Sequence, residues 1–333
     1  MEIPPGGTEE HREDGMSLSV KRRRILAIDG GGIKGVFPAA FLSGIEEALD
    51  RPLREYFDLV VGTSTGGIIA LGLGLGFSAS DILHFYEEFG PAIFGGGRRV
   101  SAVRSVYRPK YDPTPLRAAL ASTFGQRQLG ESTTRLVIPA LDLENGRVHV
   151  KKTAHHARCE MDYRDLAVDV AMGTASAPTY FPTHRTLAGV PLIDGGTWAN
   201  NPAGVAAVEA IGVLGWGASA THLLSIGCTD SPLDLSQQPA KGMGLRHWST
   251  RIITVMMAAQ SSGALGTAQI LLGHSNVHRI SPIVGQGRFK LDRVSDLPSL
   301  RGLGAAEARN YMPRIRETFF NTPADAFTPT KRL

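Results

Sequence analysis

The chain predicts an α/β fold with a mostly parallel central sheet flanked by helices in three layers, and three observations lead there. Short uncharged apolar runs recur, several ending abruptly at a glycine or an Asp-Gly pair. Stretches with helical spacing of apolar residues follow them. A continuous apolar run reads as a strand buried on both faces, and strands alternating with helices imply a parallel sheet covered on both sides. At 333 residues the chain is long enough to bury a large core.

The elements follow in order. Residues 1–20 are polar, charged and Gly/Pro-containing, and are expected to form a disordered extension. Ile25-Leu26-Ala27-Ile28 reads as a buried strand feeding the loop Asp29 to Gly35, and Val36 to Leu49 as an amphipathic helix carrying Phe37, Phe41, Leu42 and Ile45. Leu59-Val60-Val61 is a second buried strand, with a helix starting near Thr65. Leu59 to Ala79 carries no charge and is long enough to cross a bilayer. Its glycines and hydroxyl residues favour a strand–turn–helix instead.

Leu136 to Leu141 and Val148 to Val150 read as two strands joined through Glu144-Asn145-Gly146. Asp165 to Gly173 reads as a helix, and Val190 to Ile193 as a strand leading into Asp194. Asn201 is placed to cap a helix with Pro202 in its first turn, with Val205, Val208 and Ile211 at helical spacing. Leu223 to Gly227 is a further strand. Phe94 to Pro115 reads as a surface loop or flap, and Leu245, Trp248, Ile252, Val255 and Ala259 mark one amphipathic helix near the end. These elements divide the chain into a catalytic domain over residues 21–230 and a C-terminal helical part, 231–333, packed on the same domain with a possible regulatory role.

Composition excludes little but is consistent. The formal charge of +4 gives no reason to expect DNA or RNA as a partner. Cys159 and Cys228 form no disulfide framework or zinc motif, which fits a reducing cytoplasm. Residues 1–20 carry no apolar core of the kind a secretory leader needs, so secretion is not expected. No cofactor and no metal is expected, since no His/Cys/Glu group has convincing ligand spacing.

Three phrases carry the chemistry. Gly62-x-Ser64-x-Gly66 sits between a buried strand and a helix, the context of a nucleophile elbow, which presents Ser64 at the carboxyl end of the sheet. The helix N-terminus beside it suits a developing oxyanion. Gly30-x-Gly32-x-x-Gly35 matches a dinucleotide fingerprint, but that reading needs an acid at the end of the second strand, and Asp58 precedes its strand instead. The alternative is a loop whose N–H groups face a tetrahedral intermediate. Asp194-Gly195-Gly196 closes an apolar strand and brings a carboxylate to the same edge. In isolation the favoured reading of Asp194 is a helix or turn cap, since Asp-Gly is an ordinary turn phrase. A triad would recruit His222, His247, His274 or His278, and the residues alone leave dyad and triad both open.

These phrases, with Ala175-Ser176-Ala177-Pro178-Thr179-Tyr180-Phe181-Pro182, resemble the patatin-like phospholipase family over about residues 24–210. The resemblance implies a Ser64–Asp194 dyad with Asp194 as general base, and an oxyanion hole from Gly31 and Gly32 with the amide of Thr65. A direct hydrogen bond in a partly dry site is expected to raise the basicity of Asp194. Lys34 stands where such proteins carry a basic residue, and the third phrase ends in Gly196 rather than alanine. The resemblance further implies membrane phospholipid as substrate and peripheral contact with the inner face of the membrane. Ile93, Phe94 and Val100, with Arg98, Arg99, Arg104, Arg108 and Lys110, are the residues expected to make that contact.

The stretch Arg24 to Pro38 also resembles bacterial patatin-like effectors of CBASS antiphage systems. That likeness implies a cyclic di- or trinucleotide activator, with Lys151, Lys152, Arg158, Arg246 and Arg251 as basic candidates. A constitutive soluble esterase or lysophospholipase, a non-catalytic lipid-binding module and a nucleotide-dependent oxidoreductase are the competing readings. The oligomeric state is left open.

Overall fold

The computed structural model describes residues 21–95, 108–231 and 245–333. The expected disordered extension, most of the flap with Arg98, Arg99, Val100 and Arg104, and the side chains of Arg246, His247 and Arg251 lie outside the described residues.

Eight strands form one sheet among the described residues. They are β1 (Arg23–Ile28), β2 (Leu59–Gly62), β3 (Arg135–Asp142), β4 (Arg147–Lys152), β5 (His184–Arg185), β6 (Pro191–Asp194), β7 (Thr221–Ile226) and β8 (Val277–Ile280). The order is β5-β6-β3-β2-β1-β7-β8, with β4 paired to the far side of β3. The run β3-β2-β1-β7-β8 is parallel, while β4, β5 and β6 add antiparallel edges.

Alternation in the central strands builds the layers. Leu26, Ile28 and Val60 point into one core, and Ile25, Ala27, Leu59 and Val61 into another. The first core is roofed by α1 (Val36–Glu46), α2 (Thr65–Gly74), α3 (Ala79–Gly95), α4 (Thr114–Phe124), α5 (Ala167–Ala175) and α9 (Leu297–Phe319). The second is covered by α7 (Ala203–Val208) and α8 (Leu245–Leu272), while the single turn α6 (Gly196–Ala199) follows β6 directly. Burial of apolar surface on both faces explains why the strands read as unbroken hydrophobic runs.

The C-terminal part joins both layers and the sheet. β8 adds a parallel strand beside β7, α8 packs on α7, and α9 packs on α1. The last contact is close because Gly304 meets the Phe37 carbonyl, where a Cβ would stand 2.6 Å away. Phe319 and Phe320, at the end of α9, meet Tyr56 and Phe57 in edge-on and tilted ring contacts.

Several expectations are corrected. α1 ends at Glu46, not Leu49, and α5 starts at Ala167, two residues after Asp165. In α7 the buried face is Ala203, Ala206 and Ala207, while Val208 is exposed. The helix then widens into a π-helical turn, Glu209–Val213, while Val205 and Ile211 still pack against the second core. Ile93 and Phe94 belong to the last turns of α3 rather than to a loop. Ile93 is buried, and Phe94 packs on Tyr111 and Phe181.

Candidate active site

The carboxyl ends of β1, β2 and β6 converge on Ser64. Strand β2 stops at Gly62 and α2 begins at Thr65, so the chain reverses within two residues. Ser64 takes φ 55° and ψ −121°, a region costing a non-glycine residue about 1–3 kcal/mol. The two glycines make the turn sterically possible. A Cβ on Gly62 would lie 2.1 Å from the Gly66 carbonyl oxygen, and one on Gly66 would lie 2.2 Å from that of Ile28. Thr174 on α5 holds the elbow: its hydroxyl accepts the Ser64 N–H at 2.9 Å and donates to the Pro139 carbonyl at 2.6 Å.

Asp194 closes β6, whose register sets it opposite Ala140. Ser64 Oγ donates to Asp194 Oδ2 at 2.6 Å. The other oxygen, Oδ1, accepts the Gly196 N–H at 2.6 Å, which fixes the carboxylate plane. Ser64 and Asp194 are 8% and 5% exposed. Burial pushes the Asp194 pKa up to about 6, while the hydrogen bonds from Ser64 and Gly196 pull it down. The expected rise in basicity is present, but its cause is corrected: dehydration raises it, and the Ser64 hydrogen bond opposes the rise.

The glycine loop faces this pair. Gly30 donates its N–H to the Asn200 carbonyl at 3.0 Å, so it is spent on holding the loop. The amides of Gly31, Gly32 and Thr65 have no hydrogen-bond partner among the described residues. Gly31 presses on Cys228, where a Cβ would lie 2.6 Å from Sγ, and Gly32 takes φ +58° against the Leu291 carbonyl. Gly35 abuts the Thr65 hydroxyl, which donates to the buried Tyr86 hydroxyl at 2.6 Å. Gly195 lies against the Pro139 carbonyl.

Asp29, at the head of the loop, is gripped by Arg279 of β8 through two hydrogen bonds of 2.8 and 2.7 Å. Burial alone would lower the Arg279 pKa, but the facing carboxylate raises it, so the guanidinium stays charged. A residue far along the chain thus braces the loop.

Other expected residues lie elsewhere. His222 and His278 sit on β7 and β8 beside Phe319, and neither bonds Ser64 or Asp194. His274 lies in the turn before β8. Lys34 donates to the Thr229 carbonyl at 3.3 Å. Asp58 pairs with Arg23 at the opposite end of the sheet. Lys110 pairs with Asp292, and Arg108 and Arg158 are exposed. Lys151 pairs with Asp162 and Asp165, and Lys152 with Glu209.

The tertiary structure also gathers His155, Cys159 and Glu209, whose ligand atoms all lie within 4.8 Å of one another. Glu209 already spends its two oxygens on His155 at 2.9 Å and on Lys152, which makes this a closed ion-pair network. Sequence reasoning missed Thr174, Asn200, Tyr86 and Arg279. Only Thr174 carried a signal, standing one residue before the Ala175–Pro182 phrase.

The sequence matches the patatin-like phospholipase family over residues 26–207. A cGAMP-activated phospholipase of Pseudomonas aeruginosa is 32% identical over 276 residues, covering 81% of this chain and 83% of that one. A protein of the same description from Escherichia coli is 28% identical over 353 residues, covering 95% and 98%. Patatin-like protein 2 of Arabidopsis thaliana is 32% identical over 281 residues, covering 71% and 69%.

Proposed function

This chain belongs to the patatin-like phospholipase family, and on that premise we propose that it is a serine acyl hydrolase releasing fatty acids from membrane phospholipids. The observation that carries the reading is the 2.6 Å hydrogen bond from Ser64 Oγ to Asp194 Oδ2 on a strained elbow. Ser64 Oγ attacks the ester carbonyl carbon while its proton passes to Asp194 Oδ2. The carbonyl oxygen, now anionic, is received by the amides of Gly31, Gly32 and Thr65. Each such donor is typically worth about 3–4 kcal/mol in the transition state.

Collapse expels the lysophospholipid alkoxide, which takes the proton from Asp194 and leaves an acyl-serine. Water then attacks the acyl carbon, giving its proton to Asp194, and Ser64 Oγ departs with that proton taken back from Asp194, which frees the fatty acid and restores the resting pair. A carboxylate with a pKa near 6 is a better base at neutral pH than an ordinary aspartate.

A second proposal concerns control. Two of the relatives just described are termed cGAMP-activated phospholipases, which supports gating by a cyclic oligonucleotide. A role in antiphage defence and action at the inner membrane face belong to the same proposal. No helix of the described residues is long and apolar enough to cross a membrane, in keeping with peripheral contact. The test is fatty-acid release from phospholipid vesicles with and without a panel of cyclic di- and trinucleotides, with Ser64→Ala as control. Release with one nucleotide only, lost in the variant, is the expected result. Nucleotide-independent release would leave a constitutive lipase, and release unaffected by Ser64→Ala would sink the dyad.

A further inference from the structure

Helix α8 runs antiparallel to the strands it covers. Its last turn leads through Gly273 into the start of β8, and Asn276 reaches back to the Ser219 carbonyl just before β7, so this end marks the amino edge of the sheet. Twelve residues earlier, Gln260 and Ser261 bond Asn201, next to the Asn200 carbonyl that holds the glycine loop. Gln260 therefore stands at the level of the Ser64 edge. At 1.5 Å per residue, positions 252–256 project about 6–12 Å beyond it, on the same end of the molecule as the nucleophile.

That projecting turn is apolar and uncovered. Ile252, Ile253 and Met256 are 41%, 61% and 61% exposed, and no charged residue occurs from Ile252 to Leu272. Positions 253 and 256 share a face, with 252 alongside. The sequence leading into the turn carries charge of one sign. Between Asp234 and Asp292 the sequence has no acidic residue, while Lys241, Arg246 and Arg251 precede the apolar turn and Trp248 stands among them. In sequence, apolar residues preceded by cations and an indole are the composition of a segment that enters the headgroup layer of an anionic bilayer.

We propose that the projecting turn of α8 around Ile252, Ile253 and Met256 is the surface by which this protein docks on an anionic phospholipid bilayer, with those three side chains entering the acyl boundary. It rests on the phospholipase reading for its motive, but the surface is argued from the helix itself. Docking there brings the edge of the sheet that carries Ser64 to the lipid, so that an ester has little distance to travel from the bilayer. The flap residues expected from sequence are not needed for it: Ile93 is buried in α3, and Lys110 is paired with Asp292.

The test separates docking from chemistry. Flotation of the full chain carrying Ser64→Ala is measured on phosphatidylglycerol-rich and on phosphatidylcholine vesicles, with cyclic GMP–AMP present throughout. The same measurement is made with Ile253→Glu/Met256→Glu and with Ile253→Leu/Met256→Leu added. The glutamate pair is expected to lower partitioning onto anionic vesicles by about tenfold or more, the leucine pair to preserve it, and salt to weaken it. With Ser64 restored, the glutamate pair is expected to lose vesicle hydrolysis in proportion, while a soluble short-chain ester is cleaved as before.

Equal flotation of the glutamate and wild-type helices overturns the proposal. So does a glutamate pair that converts a dimer into a monomer without changing flotation, which would make this face a contact between copies. If vesicle binding depends on α8 but no ester is ever cleaved, the docking surface stands and the phospholipase reading falls.

Discussion

Two buried carboxylates at different places in this fold meet opposite fates. Asp194 is buried with only neutral donors, the Ser64 hydroxyl and the Gly196 amide, and its pKa rises to about 6. Glu209 is buried as well, but His155 and Lys152 face it. Burial pushes its pKa up, and those two partners hold it below the ordinary glutamate range. Dehydration acts on both; the presence of a cation decides between them. In the proposed mechanism the first serves as a proton acceptor near neutrality, while the second stays an anion that ties the π-helical turn after α7 to Lys152 of β4.

The comparison breaks most sharply by removing each charge. Asp194→Asn should lower kcat/KM for vesicle phospholipid by about 10³-fold or more while the chain still folds, measured by fatty-acid release. Glu209→Ala should do the reverse: a stability loss of about 3–5 kcal/mol in urea unfolding, from stranding Lys152 and His155, with kcat/KM within about twofold at a temperature where the fold persists. An activity collapse in folded Glu209→Ala would erase the distinction.

A subtler consequence concerns stability and pH. The Asp194 pKa is higher in the folded than in the unfolded chain, so the folded state holds the extra proton between about pH 4 and 6. Above pH 6 the buried carboxylate opposes folding, and below pH 4 it does not. Asp194→Asn should therefore stabilise the fold by up to about 3 kcal/mol at pH 8, with the gain vanishing as pH falls to 4. Melting temperatures measured across that range check the sign. Activity has the matching profile: kcat/KM should fall on acidification with a midpoint near 6, set by protonation of Asp194.

The smallest effect sharpens the picture of the elbow. Thr174→Val removes the acceptor of the Ser64 N–H and the donor to Pro139. A loss of about 1–3 kcal/mol in stability and about tenfold in kcat, with KM little changed, is expected from a residue that positions Ser64. Thr174→Ser should restore both.

Much of this was legible in the sequence, for specific reasons. β1 and β2 are buried on both faces and so read as unbroken apolar runs. Gly62 and Gly66 stand where backbone carbonyls approach within 2.2 Å of a would-be Cβ, so they are written as glycine. α7 was harder to read, because alanines rather than the larger valines fill its buried face. The fork between Arg279 and Asp29 left no local trace, since its partners are 250 positions apart.

What the sequence determined by itself is the set of close-range constraints: apolar strands, glycine turns, and the order in which Ser64 and Asp194 leave the sheet. These are legible because each arises from neighbouring residues and the period of a strand or helix. The tertiary structure alone decided which carboxylate meets a cation, and that no histidine among the described residues joins Ser64 and Asp194. It also decided that an uncharged stretch of α8 projects past the active edge. Those outcomes depend on how distant segments are set side by side by the sheet register, and no local pattern encodes the charge or exposure that results.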